Sequence, residues 1–442
     1  MASQPREQWS SRYGFVMAAV GSAVGLGNMW RFSYLTAEHG GAAFVVLYLA
    51  ITLLVGLPVL LAELALGRGS QKSPIRALAH FGGNSWKPLG LVFVAAGFLI
   101  LSYYSVIAGW TVRYAIAGVF VGFDADAGER FGSVASGWDA FGYHIAFMAG
   151  TIYIVARGVS GGIERTAMVL MPVLFAIVVG LAFYAATLDG ASRGYAYYLD
   201  TDFGKLSDLK VWKDAAGQAF FSLSLGMGAM LTFASYLSRD TNLPRESVII
   251  AVADIGIAFI AGLVVFPLIY ALNLSGDVSE STVGALFITL PKAFAEMGGV
   301  GRGVGGLFFV ALVVGALTSA ISLLEVVVAT AIDGLGWTRR QAAIALGTAI
   351  TVIGIPSAWS TDFLGAVDEI ANNIFLLGGG LALAIFVGWS MADPEAEVSH
   401  GTSGLSWLPI WRNLLRFAVP LFLGFVLYFS VPSTWQTLVD LF

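Results

Sequence analysis

Gly21-Ser22-Ala23-Val24-Gly25-Leu26-Gly27-Asn28-Met29-Trp30-Arg31-Phe32 interrupts an otherwise apolar segment spanning residues 13–35. Glycine lowers helix stability, and in lipid every freed carbonyl or N–H needs a partner that the hydrocarbon cannot supply. Unwound backbone at membrane depth is tolerated where it is buried in protein or lines a cavity, and there its carbonyls hold small cations while its N–H groups hold anions. The first segment therefore reads as a binding site for a cation and an anionic group. A small-residue packing face accounts for the glycines, but not for Asn28 and Arg31 in the same stretch.

Working outward, the whole chain has the composition of a membrane protein. Of 442 residues, 57% are hydrophobic and only 12% charged, against about 25% charged in soluble domains. There are no cysteines, which excludes disulfides and thiol chemistry. The net charge of −5 comes with no basic patch that would suit nucleic acid. The N-terminus lacks the short apolar run and small-residue cleavage site of a signal peptide, so the first hydrophobic segment is expected to be retained.

Apolar runs long enough to cross a bilayer fall at 13–35, 42–66, 88–121, 141–157, 165–188, 216–238, 247–273, 303–332, 340–358, 369–391 and 413–432. The expectation is an all-α integral membrane protein of eleven transmembrane helices. A shorter amphipathic piece, Val283–Met297, reads as a re-entrant or surface helix. With alternating spans, Arg6, Arg12, Arg68, Lys72, Arg76, Lys87, Arg157, Arg165, Arg239, Arg245, Arg339, Arg340, Arg412 and Arg416 share one side. By the positive-inside rule that side is cytoplasmic, which places the N-terminus in the cytoplasm and the C-terminus outside, in a multi-pass protein of the cell membrane.

Span six carries a second Gly-rich, Ser-containing interruption, Ser222-Leu223-Ser224-Leu225-Gly226-Met227-Gly228. Spans one and six head two consecutive blocks of five. An odd number of spans per block forces opposite insertion, so the pattern predicts a 5+5 inverted repeat with broken helices 1 and 6 and a substrate site between the breaks. The expected organisation is a cytoplasmic N-terminal segment (1–12), repeat one (13–188), an extracellular loop (189–215), repeat two (216–391), a cytoplasmic loop (392–412), and helix 11 with its tail (413–442).

These features resemble the neurotransmitter:sodium symporter family, and among its members the bacterial hydrophobic amino-acid transporters of the leucine-transporter type. The matching pieces are Ala23-Val24-Gly25-Leu26-Gly27-Asn28 with Arg31-Phe32, Tyr103-Tyr104, Phe220 to Gly226, and Leu317-Thr318-Ser319, in family order along the chain. Serine at Ser33 departs from the proline that is usual there. The resemblance implies two Na⁺ ions: one held by Ala23, Asn28, Ser222 and Asp254, the other by Gly21, Val24, Gly315, Thr318 and Ser319. It implies that a substrate carboxylate meets the Leu26 and Gly27 N–H groups and Tyr104, while an ammonium meets carbonyls at Ala23, Phe221, Ser222 and Ser224. Gly25 stands where monoamine-transporting members hold an aspartate, so the substrate should bring its own acid group. Ile100, Tyr104, Phe221, Met227, Ser319 and Leu323 would form the apolar wall. Met227, a flexible thioether, suits a large apolar or aromatic side chain or simply a core position.

By the same resemblance, Arg31 and Asp368 form an outer gate pair, and Arg6 and Asp333 an inner one. Bacterial relatives place a chloride-substituting acid one turn beyond Asp254, at the position of Ala258 here. Asp254 is expected to supply that charge instead, with no chloride required and with a proton on the return step left open. Gly162 and Pro172 mark a stretch of span five that some relatives unwind to admit water; a plain proline kink is the alternative. Glu63, Gln218, Tyr236 and Glu325 are further polar groups inside spans, with functional and structural roles equally open.

The reading is a sodium-coupled symporter of neutral, hydrophobic or aromatic, L-amino acids working by alternating access. The alternatives are another small zwitterion, or an amino-acid sensor that does not translocate. A membrane enzyme finds no support, because His39, His80, His144 and His400 are scattered without metal-ligand spacing.

Overall fold

In a computed structural model, which describes residues 6–124, 126–272, 282–402 and 404–441, eight helices are long and apolar enough to cross a membrane. They are Ala42–Ser70, Asn84–Phe120, Gly137–Ala156, Val159–Ala186, Leu243–Ala271, Gly298–Leu335, Thr361–Ser390 and Leu408–Gln436. The remaining expected spans are assembled from shorter pieces. Span one is Arg12–Ala23 followed by Gly27–Arg31 and Phe32–Glu38. Span six is Leu209–Ser222 and Ala229–Ala234. Span nine is Arg339–Ile353 and Ile355–Trp359, divided where Pro356 removes an N–H from the ladder. Among the described residues there is no strand, only an isolated bridge between Gly41 and Thr201.

The expected organisation lies partly outside the described residues, at 1–5, 125, 273–281, 403 and 442. Residues 189–215 hold a helix at Ala191–Leu199 and already begin span six at Leu209. The Val283–Met297 piece is helical from Thr282 to Glu296.

Apolar side chains cannot drive helix association in lipid, so close backbone approach does. The largest helix–helix contact joins spans three and eight. There Gly118 and Gly306 let the main chains meet: a Cβ on Gly118 would lie 2.5 Å from the Gly306 Cα. Span two meets the outgoing half of span six in the same way, since a Cβ on Gly67 would lie 2.1 Å from the Leu231 carbonyl oxygen. On the face that carries the basic residues, the fully buried Arg68 ties span two to the segment before span eleven. Its guanidinium donates to the Glu397 carboxylate at 3.1 Å, to the Thr241 carbonyl at 2.5 Å and to the Glu397 carbonyl.

Because the Gly67 contact is with backbone, Gly67→Ala must separate the two helices at a cost of about 1–3 kcal/mol. Its midpoint in a thermal unfolding scan is expected to fall by several degrees. Gly180→Ala, which meets nothing within 4 Å, should leave the midpoint in place.

Candidate functional site

The two breaks face each other at the centre of the molecule. The first helix of span one ends at Val24, whose backbone is extended (φ −79°, ψ 100°), and helical turns resume at Leu26. Span six turns through three left-handed residues: Ser224 (φ 54°), Gly226 (φ 75°) and Gly228 (φ 72°). Gly226 has no alternative, because a Cβ there would lie 2.2 Å from the Leu376 carbonyl oxygen.

Protein groups satisfy the backbone that the breaks release. Glu63 of span two, fully buried, accepts the Gly226 N–H at 2.9 Å and the Leu231 N–H at 3.2 Å. Gln218 donates to the Gly27 carbonyl at 3.0 Å, and the Asn28 side-chain oxygen accepts the Gly25 N–H at 3.1 Å. The breaks are also joined directly, since the Ser224 hydroxyl donates to the Ser22 carbonyl at 2.8 Å.

Between them lies a small cavity of about 20 Å³ lined by Ser22, Ala23, Gly25, Gly27, Ile100, Tyr104, Phe221, Ser224, Met227, Ser319 and Leu323. Ser22 joins the expected residues in this lining, while Leu26 and Ser222, expected to offer an N–H and a carbonyl, are not part of it. The Leu26 N–H points at the Tyr104 hydroxyl oxygen, 3.4 Å away. The pocket is narrow at Gly25, where a Cβ would sit 2.6 Å from Ser319 Oγ and 3.0 Å from Tyr104 Oη.

Asn28, Ser222 and Asp254 converge beside the cavity. The Asn28 amide nitrogen donates to Asp254 Oδ1 at 2.6 Å and to Ser222 Oγ at 3.0 Å, and the Ser222 hydroxyl lies 2.8 Å from both Asp254 oxygens. Tyr48, absent from the expected set, donates to Asp254 Oδ2 at 3.1 Å. In sequence it is one aromatic in the apolar run of span two, indistinguishable from a packing residue.

Gly21, Val24, Gly315, Thr318 and Ser319 form the second group. A Cβ on Gly315 would lie 3.3 Å from the Val24 carbonyl oxygen, and one on Gly21 3.0 Å from Thr318 Cβ. Ser319 donates to the Ser22 carbonyl at 3.2 Å, whereas Thr318 bonds back to the Val314 and Gly315 carbonyls at 3.1 and 3.0 Å. The second group offers only oxygen, the donor type that hard cations take, whereas in the first Asn28 turns its amide nitrogen to Ser222 and Asp254 and gives its oxygen to the Gly25 N–H.

On the side of residues 6–12, Arg6 meets Asp333 through two hydrogen bonds of 2.9 and 2.8 Å, donates to Ser235 at 2.7 Å and stacks over Tyr236. Arg339 pairs with Glu325 at 2.7 Å and with Glu7 at 2.7 Å, and the Tyr236 hydroxyl also donates to Glu325. On the opposite side, Arg31 and Asp368 do not touch as a direct ion pair. Asn372 stands between them, accepting from Arg31 at 3.1 Å and donating to Asp368 Oδ1 at 2.8 Å. The Arg31 guanidinium covers the Phe221 ring. Gly162 lies in a π-helical turn, Val159–Glu164, and Pro172 inside the continuous helix Arg165–Ala186, so span five is wound here.

Two broken helices around one central pocket, in an all-helical membrane protein, define a secondary transporter of the broken-helix type. The model of the sodium:neurotransmitter symporter family matches residues 6–122 and 137–439. An uncharacterized sodium-dependent transporter of Bacillus subtilis, YhdH, is 36% identical over 95% of this chain and 97% of its own length. One from Methanocaldococcus jannaschii is 33% identical over 98% and 92%. The crystal structure of MhsT in complex with L-phenylalanine superposes with a TM-score of 0.88 at 42% identity, over 96% of this chain and 100% of that one. The chain belongs to the sodium:neurotransmitter symporter family, whose members are transporters rather than enzymes, and it is a multi-pass membrane protein.

Glu63→Ala would strand two buried N–H groups, at about 1–3 kcal/mol each. The expected outcome is a lower unfolding midpoint together with weakened sodium-dependent ligand binding in a filter or scintillation assay. Glu63→Asp should recover part of both.

Proposed function

We propose that the chain couples the entry of sodium to uptake of neutral L-amino acids with hydrophobic or aromatic side chains. The observation that carries this reading is the central cavity. It has apolar walls at Ile100, Phe221, Met227 and Leu323, residues of both helix breaks in its lining, and Gly25 rather than an acid beside Tyr104. A zwitterion fits such a site, because its carboxylate can take N–H groups at the start of the half-helix while its ammonium takes released carbonyls. The relative whose crystal structure holds L-phenylalanine supports the same substrate class.

Two sodium ions enter with the substrate. The first takes Ala23, Asn28, Ser222 and Asp254, and the second Gly21, Val24, Gly315, Thr318 and Ser319. Asp254 supplies a fixed negative charge beside the first ion, so transport proceeds without chloride. Arg6–Asp333 closes the cytoplasmic side, and Arg31 with Asp368 closes the external one. Span five opens between Gly162 and Pro172 to let water reach the second ion. The N-terminus is cytoplasmic and the C-terminus external, with repeats at 13–188 and 216–391 joined through 189–215 and followed by 392–412 and 413–442.

In proteoliposomes, an inward sodium gradient should drive accumulation of labelled phenylalanine, tryptophan or leucine. Potassium or choline should not, and gluconate in place of chloride should make no difference. Asp254→Asn should abolish accumulation or weaken sodium affinity strongly. Uptake that needs chloride in the wild type and ignores Asp254→Asn overturns the role of Asp254. Saturable binding without flux overturns transport in favour of a sensor.

A further inference from the structure

We propose that Glu164 is a latch that couples the opening of span five to the release of the inner half of span one. The inference rests on the opening between Gly162 and Pro172 advanced above, and adds the residue that transmits it.

Glu164 is fully buried at the end of the π-helical turn Val159–Glu164, two positions beyond Gly162. Its carboxylate points away from its own helix, at the residues that begin span one. Ser10 donates its N–H to Oε2 at 2.8 Å and its hydroxyl to Oε1 at 2.7 Å. Ser11 donates its N–H at 3.1 Å and its hydroxyl at 2.9 Å, both to Oε1. Ser11 is itself the N-cap of the helix Arg12–Ala23, accepting the Gly14 N–H at 2.9 Å. The carboxylate thus holds the residue that starts the half-helix carrying Gly21, Ala23 and Val24.

The fit is made by Gly14. A Cβ there would lie 1.9 Å from Glu164 Oε1 and 2.3 Å from its carboxyl carbon. A second tether runs parallel, since Glu7 accepts the Val159 N–H at 2.6 Å. Residues 6–12 are also held by Asp333 of span eight and Glu246 of span seven, through Arg6 and Arg12. Of these carboxylates, Glu164 belongs to the segment proposed to open.

The coupling follows from burial. If the stretch from Gly162 to Pro172, which carries Glu164, unwinds while span one stays, four donors lose their acceptor and a carboxylate stays dry without partners. If span one tilts while span five stays wound, the same groups separate. A buried charge and its donors are costly to part, so the two movements occur together. Glu164 touches neither the cavity nor either group of expected sodium ligands, and acts as a positioning residue.

Hydrogen exchange on the full-length protein in lipid nanodiscs, with and without sodium, tests this alongside phenylalanine binding. In the wild type, sodium should slow exchange at residues 10–14 and at 162–171 together. In Glu164→Ala, residues 10–14 should exchange faster in sodium by about tenfold, within the usual range of coupling between sites, while 162–171 keep their sodium response. Phenylalanine binding should persist while uptake falls. Ser10→Ala, which keeps both backbone donors and the Ser11 cap, and Gly14→Ala, which expels the carboxylate without altering its charge, should shift exchange in the same direction. Should Glu164→Ala fail to fold, these two carry the test. Wild-type exchange at residues 10–14 in all variants that fold, with 162–171 still responding, overturns the latch and leaves the opening standing. Wild-type exchange at 162–171 that ignores sodium overturns the opening, and the latch with it.

Discussion

Everything at the centre of this molecule depends on one constraint: backbone released from a helix inside a bilayer must find its partners in protein. Spans one and six are both interrupted at depth, and buried side chains fixed on neighbouring helices meet the need. Glu63 takes two N–H groups of span six, while Asn28 and Gln218 satisfy span one from within and across the gap. Binding capacity here is the residue of an incomplete hydrogen-bond ladder, completed only as far as stability requires.

The supports and the broken pieces have different mechanical character. Spans three and eight are continuous helices in close backbone contact, and they supply Ile100, Tyr104, Thr318, Ser319 and Leu323. Spans one and six are short helical pieces linked by extended or left-handed residues. Small rotations at Val24 or across Ser224 to Gly228 would move a half-helix while the wall opposite stays in place. Such hinges suit a site reached from either side in turn.

The two faces are bonded differently. On the side of residues 6–12, Arg6 and Asp333 meet directly, and Trp9, Glu7, Arg339 and Glu325 extend the contact into a network. On the other side an amide separates the charges of Arg31 and Asp368. A direct charge-assisted pair is stronger than a contact relayed through a neutral side chain. The side of residues 6–12 holds direct ion pairs, while Arg31 and Asp368 are joined through Asn372.

The sequence by itself determined the class of fold. Apolar runs of membrane length dictate helices, and glycines with polar residues inside two of them dictate breaks, because lipid offers no other way to hold free backbone. It likewise determined the ordered motifs that mark the family. Long-range placement was decided only by tertiary structure. Tyr48 beside Asp254, Asn372 between Arg31 and Asp368, and Glu164 beneath Ser10 and Ser11 join residues far apart in the chain. No local pattern marks such pairs, since a buried tyrosine, asparagine or glutamate looks the same in sequence whether it binds, positions or packs. Which partner each finds depends on how closely glycines let the helices approach, and that distance is a property of the assembled bundle.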